Sequence, residues 1–113
     1  MHEASIAQSL LDIVIETAQK NNALKINAVN LIIGKLSAVD TDALKTAYDV
    51  LKEDTIASES ILNIKLIDIK GECLDCGFVS MYDTYYFKCK QCSSYNVIIL
   101  EGEELSIQDI EVE

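Results

Sequence analysis

Four cysteines constrain this chain more than any other feature. Cys73, Cys76, Cys89 and Cys92 form two Cys-x-x-Cys pairs with twelve residues between them, and the first 72 of the 113 residues contain no cysteine. A secreted disulfide domain spreads its cysteines to staple distant loops; here they are concentrated. A Cys-x-x-Cys turn aims two sulfurs at one point, and two such turns face to face give a tetrahedral sulfur cage suited to Zn²⁺. Gly77 follows the first pair, where the backbone often needs a positive φ, whereas Ser93 follows the second. Lys88 and Lys90 are placed to offset the negative charge of zinc with four thiolates. No histidine lies nearby, which excludes a mixed site. The competing readings are a redox dithiol and two structural disulfides; a matched pair of turns favours metal. Bound zinc would hold the segment together, with Phe78, Tyr82, Tyr85, Tyr86 and Phe87 as its minimal apolar core.

Charge narrows the choice of partner. The chain carries 19 acidic and 9 basic residues, a net of −10, and every basic residue is lysine. Nucleic-acid binding needs cations facing phosphates and commonly uses arginine for bidentate contacts, so neither nucleic acid nor an anionic membrane is an expected partner. No apolar run approaches the roughly 20 residues of a membrane span. Met1-His2-Glu3 offers no positively charged leader, and a cytoplasmic protein is expected.

Hydrophobic spacing supplies the architecture. From about Ser5 to Lys20, Ile6, Leu10, Ile13, Val14 and Thr17 fall near one helical face, with Ser5 and Gln8 as a capping box, and Asn21-Asn22 ends the helix. Ile26 to Ile33 reads as a strand bounded by Gly34. Asp40 or Thr41 opens a second helix, in which Leu44, Ala47, Tyr48 and Leu51 keep helical spacing. Ile61 to Ile69 alternates as a strand, Val97 to Leu100 is a short apolar strand, and Glu104 to Val112 reads as a last one returning to the sheet. The expected fold class is α+β: two helices packed on a small three-stranded sheet, with an inserted four-cysteine zinc-ribbon module. The expected domains are residues 1–70 plus 101–113, and residues 71–100, with Gly71 and Gly102 as hinges.

The amino terminus offers a second metal chemistry. By type and position, the sole histidine, His2, reads first as a frayed surface residue. Yet the α-amine of Met1, the deprotonated amide of His2 and its imidazole can close adjacent chelate rings on one metal. The Glu3 amide or a nearby carboxylate can complete the plane. Nitrogen-rich square-planar coordination selects Ni(II) or Cu(II) over Zn(II), and it is pH-dependent because amine and imidazole must lose protons.

Met1-His2-Glu3, then Ser5-Ile6-Ala7-Gln8-Ser9-Leu10, then Ile33-Gly34-Lys35-Leu36-Ser37, then the double Cys-x-x-Cys resemble, in order and spacing, the HypA/HybF hydrogenase-maturation nickel chaperones. The resemblance covers essentially the whole chain. It implies a nickel site at the amino terminus and a structural zinc in the insert. It further implies delivery of Ni²⁺ to the [NiFe]-hydrogenase large subunit together with a GTPase, HypB; some relatives also supply urease. His2 is then the essential nickel ligand, Met1 and Glu3 contribute backbone nitrogen, and a carboxylate matching Asp40 serves in some relatives. Asp40 has a simpler reading as an N-cap, and Glu3 as a carboxylate favoured near a helix N-terminus. The second cysteine turn departs from the family, with Lys90-Gln91 and Ser93 where relatives often have proline inside and glycine after.

The expected function is therefore a nickel metallochaperone with no turnover of its own. The alternatives are a zinc-ribbon adaptor without nickel, or a thiol oxidoreductase using one Cys-x-x-Cys. No triad, phosphate loop or carboxylate pair supports another enzyme.

Overall fold

The computed structural model describes residues 2–83 and 85–113, which form two α-helices and two three-stranded sheets. The chain divides into two compact units. The first holds the chain up to Leu31, Val39–Lys65 and Ser106–Glu113; the second holds Ile32–Ala38 and Leu66–Leu105.

In the first unit, α1 spans Glu3–Lys20 and starts earlier than the capping-box reading expects. His2 is the N-cap, and its carbonyl accepts from the Ser5 and Ile6 amides at 3.1 Å each. Ser5 therefore lies inside the first turn, and Gln8 donates to Asp12 Oδ1 instead (2.9 Å). The buried stripe is Ala7, Leu10, Leu11, Val14 and Ala18. Ile13 is 52% exposed, and the exposed Thr17 donates its hydroxyl to the Ile13 carbonyl. The side chains of Ala7 and Ala18 fit a close-packed interior where larger ones would not, so the stripe is rotated from the one the larger residues suggest. The helix stops as expected. Asn22 takes φ +59, and the Asn22 and Ala23 amides return to the Gln19 and Ala18 carbonyls, a Schellman ending.

After β1 (Ile26–Gly34) and one 3₁₀ turn (Lys35–Ser37) comes α2 (Thr41–Leu51), which packs against α1 and buries Leu44 and Tyr48. The Ser60 hydroxyl donates to the Ala57 carbonyl, so the buried Tyr48 hydroxyl is the donor in its 2.5 Å bond to Ser60. Burial pushes the Tyr48 phenol above its ordinary pKa. β2 (Ile61–Ile67) and β6 (Leu105–Val112) flank β1 in the order β2-β1-β6. The last strand thus returns to the first sheet, as its sequence position suggests.

The stretch read as one strand over 61–69 is two. β2 ends at Ile67, and β3 (Ile69–Cys73) belongs to the second sheet. Asp68 sits at the break and pairs with Lys35 at 2.5 Å. Leu66, which alternation assigns to the same face as the buried Leu62, is 49% exposed.

The second unit is built on β3, β4 (Val79–Tyr82) and β5 (Val97–Glu101), in the antiparallel order β4-β3-β5. A two-stranded ribbon would satisfy the cysteine spacing; the third strand pairs Cys73 with Val97 and Glu72 with Ile98. Gly71 and Gly102 are closely packed positions. A Cβ on Gly71 would come within 2.8 Å of Val97, and one on Gly102 within 2.9 Å of the Ile69 backbone. The expected aromatic core is also smaller. Tyr82 is buried and meets Phe87 edge-on at 5.5 Å, whereas Phe78, Tyr85 and Tyr86 are exposed. Five rings exceed the interior that three short strands enclose.

Candidate metal sites

The cysteine turns are held where β3 ends and β5 begins. Cys73 is the last residue of β3, and its amide bonds the Phe78 carbonyl (2.9 Å) while the Leu74 amide bonds the Asn96 carbonyl (2.8 Å). The four Sγ atoms all lie within 4.8 Å of one another. Cys73 faces Cys92 at 3.6 Å, and Cys76 faces Cys89 at 3.6 Å. A disulfide needs about 2.05 Å. A zinc tetrahedron with Zn–S near 2.3 Å has sulfur–sulfur edges of about 3.8 Å. The chemistry of the donor set and its spacing fit zinc.

Both turns close in the same way. Gly77 takes φ +78 and its amide bonds the Cys73 carbonyl at 2.8 Å; Ser93 takes φ +64 and its amide bonds the Cys89 carbonyl at 3.0 Å. The second turn therefore adopts the glycine geometry without glycine. A non-glycine residue in the left-handed region costs about 1–2 kcal/mol, partly offset in the reverse substitution by the greater chain entropy of glycine. Ser93→Gly is expected to stabilise the second unit by roughly 0.5 kcal/mol, read as a higher denaturation midpoint with an unchanged slope.

Electrostatics within the cluster is uneven. Amides of Cys92 and Gln91 point at Cys89 Sγ at 3.4 Å each, and this pulls its thiol down to about 6 despite desolvation. The Phe78 amide favours a Cys76 thiolate, but burial and the neighbouring sulfurs outweigh it and push Cys76 up to about 12. Four sulfurs this close cannot all be thiolates without a cation between them. The lysines are engaged nearby: Lys90 Nζ donates to the Met81 carbonyl (2.5 Å) and lies 5.3 Å from the Tyr82 ring centre, and Lys88 Nζ lies 5.8 Å from that of Tyr95.

At the other candidate site, Met1 lies outside the described residues. His2 is exposed, and Glu3 is the first residue of α1. Asp40 is the N-cap of α2, its Oδ1 accepting from the Asp42 and Ala43 amides at 3.1 Å each. The Asp40 amide in turn donates to Glu3 Oε2 at 3.1 Å. That bond, with the amide of Glu3 itself, holds the Glu3 carboxyl below the usual glutamate range. The structure thus joins Glu3 to Asp40. His2 and Glu3 border a groove whose other side is Ala43, Ala47, Val50 and Leu51 of α2. Sequence reasoning missed the bond between the two helix starts, since nothing local to either residue announces a partner 37 positions away.

No helix among the described residues is long and apolar enough to cross a membrane. The family model described as hydrogenase/urease nickel incorporation, metallochaperone, HypA, matches residues 1–112. The hydrogenase maturation factor HypA of Pelodictyon phaeoclathratiforme is 38% identical over 113 residues, all of this chain and 97% of that protein. That of Rhizobium leguminosarum bv. viciae is 38% identical over 112 residues, 99% of each. Among solved structures, the nickel metallochaperone HypA from Helicobacter pylori superposes with a TM-score of 0.69 at 35% identity, over 99% of this chain and 97% of that one. A second HypA solution structure gives 0.74 at 35% identity, over 100% and 97%. With the cysteine cage formed and the match running from one end to the other, this chain belongs to the HypA family of hydrogenase/urease nickel-incorporation metallochaperones.

Proposed function

We propose that this chain binds Ni²⁺ at its amino terminus and delivers it during [NiFe]-hydrogenase maturation, while Cys73, Cys76, Cys89 and Cys92 hold a structural Zn²⁺. The observation that carries the nickel reading is the start of α1. His2 is the N-cap and Glu3 the first helical residue, so neither backbone amide has a helix carbonyl to bond. The His2 amide can then deprotonate onto a metal beside the exposed imidazole and the α-amine of Met1, and the Glu3 amide can do so by exchanging its own carboxylate for the metal. Asp40 uses one carboxylate oxygen for capping, which leaves the other for a further ligand.

Residues 1–70 with 101–113 are the nickel-binding part in this reading, and residues 71–100 the zinc-binding part. The partners are the HypB GTPase and the hydrogenase large subunit, with urease maturation proteins as further clients, in the cytoplasm. The chain transfers metal and turns over no substrate. A carrier needs accessible, exchangeable ligands, and an acidic chain of net charge −10 attracts a divalent cation and steers docking on a basic partner surface.

The test is metal stoichiometry on untagged protein after nickel loading and desalting. Wild type should retain one nickel and one zinc, and His2→Ala only the zinc. Asp40→Ser keeps a capping hydroxyl and removes the carboxylate, so it isolates ligation from the cap, which is worth about 1 kcal/mol. Weaker nickel retention in Asp40→Ser at unchanged stability supports ligation; unchanged retention leaves Asp40 as a cap only. Nickel bound equally by His2→Ala would sink the site as drawn and leave a zinc-bound adaptor.

A further inference from the structure

We propose that Asp75, between the two cysteines of the first turn, is a positioning residue that clamps the two turns together and sets how long zinc is held. The proposal rests on the zinc reading above. Asp75 reaches across to the segment after the second turn: Ser94 Oγ donates to Asp75 Oδ2, and Asn96 Nδ2 donates to Asp75 Oδ1 at 3.4 Å. Ser94 is itself fastened to the second turn, its carbonyl accepting from the Cys89 amide at 2.7 Å and its Oγ from the Asn96 amide at 3.0 Å. Asn96 is fastened to the first turn through its carbonyl and the Leu74 amide, at 2.8 Å. One carboxylate therefore ties Cys73-Leu74-Asp75-Cys76 to the segment that leads from Cys89 and Cys92 into β5.

The second turn needs such a brace. It lacks the rigidity of an internal proline, and Ser93 holds a left-handed backbone that glycine would take without strain. Electrostatics alone would not select an aspartate here. A carboxylate beside four thiolates disfavours their ionisation, so its contribution is the hydrogen bonds it accepts. Groups bonded directly to metal ligands typically change metal affinity 10–100-fold, and Asp75 acts one bond further out, through Ser94 and Asn96, so the lower end of that range applies.

The experiment follows zinc release from the full-length, zinc-loaded chain into an excess of a chromogenic chelator, with far-ultraviolet circular dichroism recorded on the same samples. Asp75→Ala should release zinc about 10-fold faster with the helical signal unchanged. Ser94→Ala should do likewise, and the double variant no faster than either single one. Asp75→Asn is the decisive control: its amide can still accept from Asn96 and can donate to Ser94, while the charge is gone, so release should stay near wild type. Unchanged or slower release from Asp75→Ala overturns the clamp. Equal acceleration in Asp75→Asn and Asp75→Ala, or effects of Asp75→Ala and Ser94→Ala that multiply, also overturns it. Wild-type protein that binds no zinc overturns the zinc reading, and the clamp with it.

Discussion

Withdrawing zinc with a strong chelator is expected to unfold the second unit and leave the helices standing. The buried apolar side chains described in that unit are few: Ile33, Ile69, Tyr82 and two of the cysteines, Cys73 and Cys89. Two of the five are themselves metal ligands, so the interior is organised by the ion as much as by burial. Structural zinc contributes an apparent 10–16 kcal/mol in small modules of this kind, far more than three short strands can replace. The first unit has its own core in Ala7, Leu11, Val14, Ile26, Val29, Leu44 and Tyr48. The measurement is a thiol-reagent titration beside circular dichroism. Four thiols should be protected before chelation and four reactive after it, with the near-ultraviolet signals of the second unit's tyrosines lost, and that of the buried Tyr48 and the helical ellipticity kept.

Retention of zinc should also fall as pH falls. Cys89, depressed to about 6, enters as thiolate at neutral pH, and its contribution disappears as pH drops through that value. Cys76, held at about 12, must lose its proton on binding, so zinc uptake should acidify an unbuffered solution. Thiols that stay unreactive after chelation, or a release independent of pH between about 7 and 5, would exclude the tetrathiolate zinc site.

Gly34→Ala is expected to be the most damaging alanine substitution among the glycines. Its Cβ would fall 2.1 Å from the Gly102 carbonyl carbon and oxygen and 2.6 Å from the Glu103 nitrogen. All three atoms are backbone and cannot rotate away. The same stretch is locked by the Gly34 amide on the Glu104 carbonyl (2.7 Å) and the Leu36 amide on the Gly102 carbonyl (2.8 Å). Relief would break this pairing, at a cost near the upper end for overpacking, about 3 kcal/mol, or roughly 10 °C in Tm. Gly77→Ala is the control. Nothing lies within 4 Å of its Cβ, and only its φ of +78 opposes the change, so it should cost about 1 kcal/mol. Equal effects of the two substitutions would refute the close approach at Gly34.

Which parts of this were legible in advance follows from the range of the forces. Asn22 ends α1 and Asp40 caps α2 because both acts involve amides a few residues away. The sulfurs of each Cys-x-x-Cys converge because a single turn places them. The start of α1 was read late because Ser5 and Gln8 match a capping pattern that an earlier N-cap, His2, makes unnecessary. The break at Asp68 was missed although the apolar positions change parity from Leu62, Ile64 and Leu66 to Ile67 and Ile69, because a phase slip within one apolar run does not say that its two halves pair in different sheets.

By itself, then, the sequence determined the α+β class and the cysteine cluster, through spacing and local hydrogen bonding that need no distant partner, and its ordered motifs pointed to the family. Only the tertiary structure decided that β3 is the centre of a second sheet, that Gly34 and Gly102 meet backbone to backbone, and that Glu3 holds the Asp40 amide. It alone decided that Asp75 reaches Ser94, 19 residues on. Each of these is a contact between segments whose residue types are individually unremarked. The chain must close a loop to form it, and the entropy of that closure is repaid by the packing of the whole unit rather than by any motif.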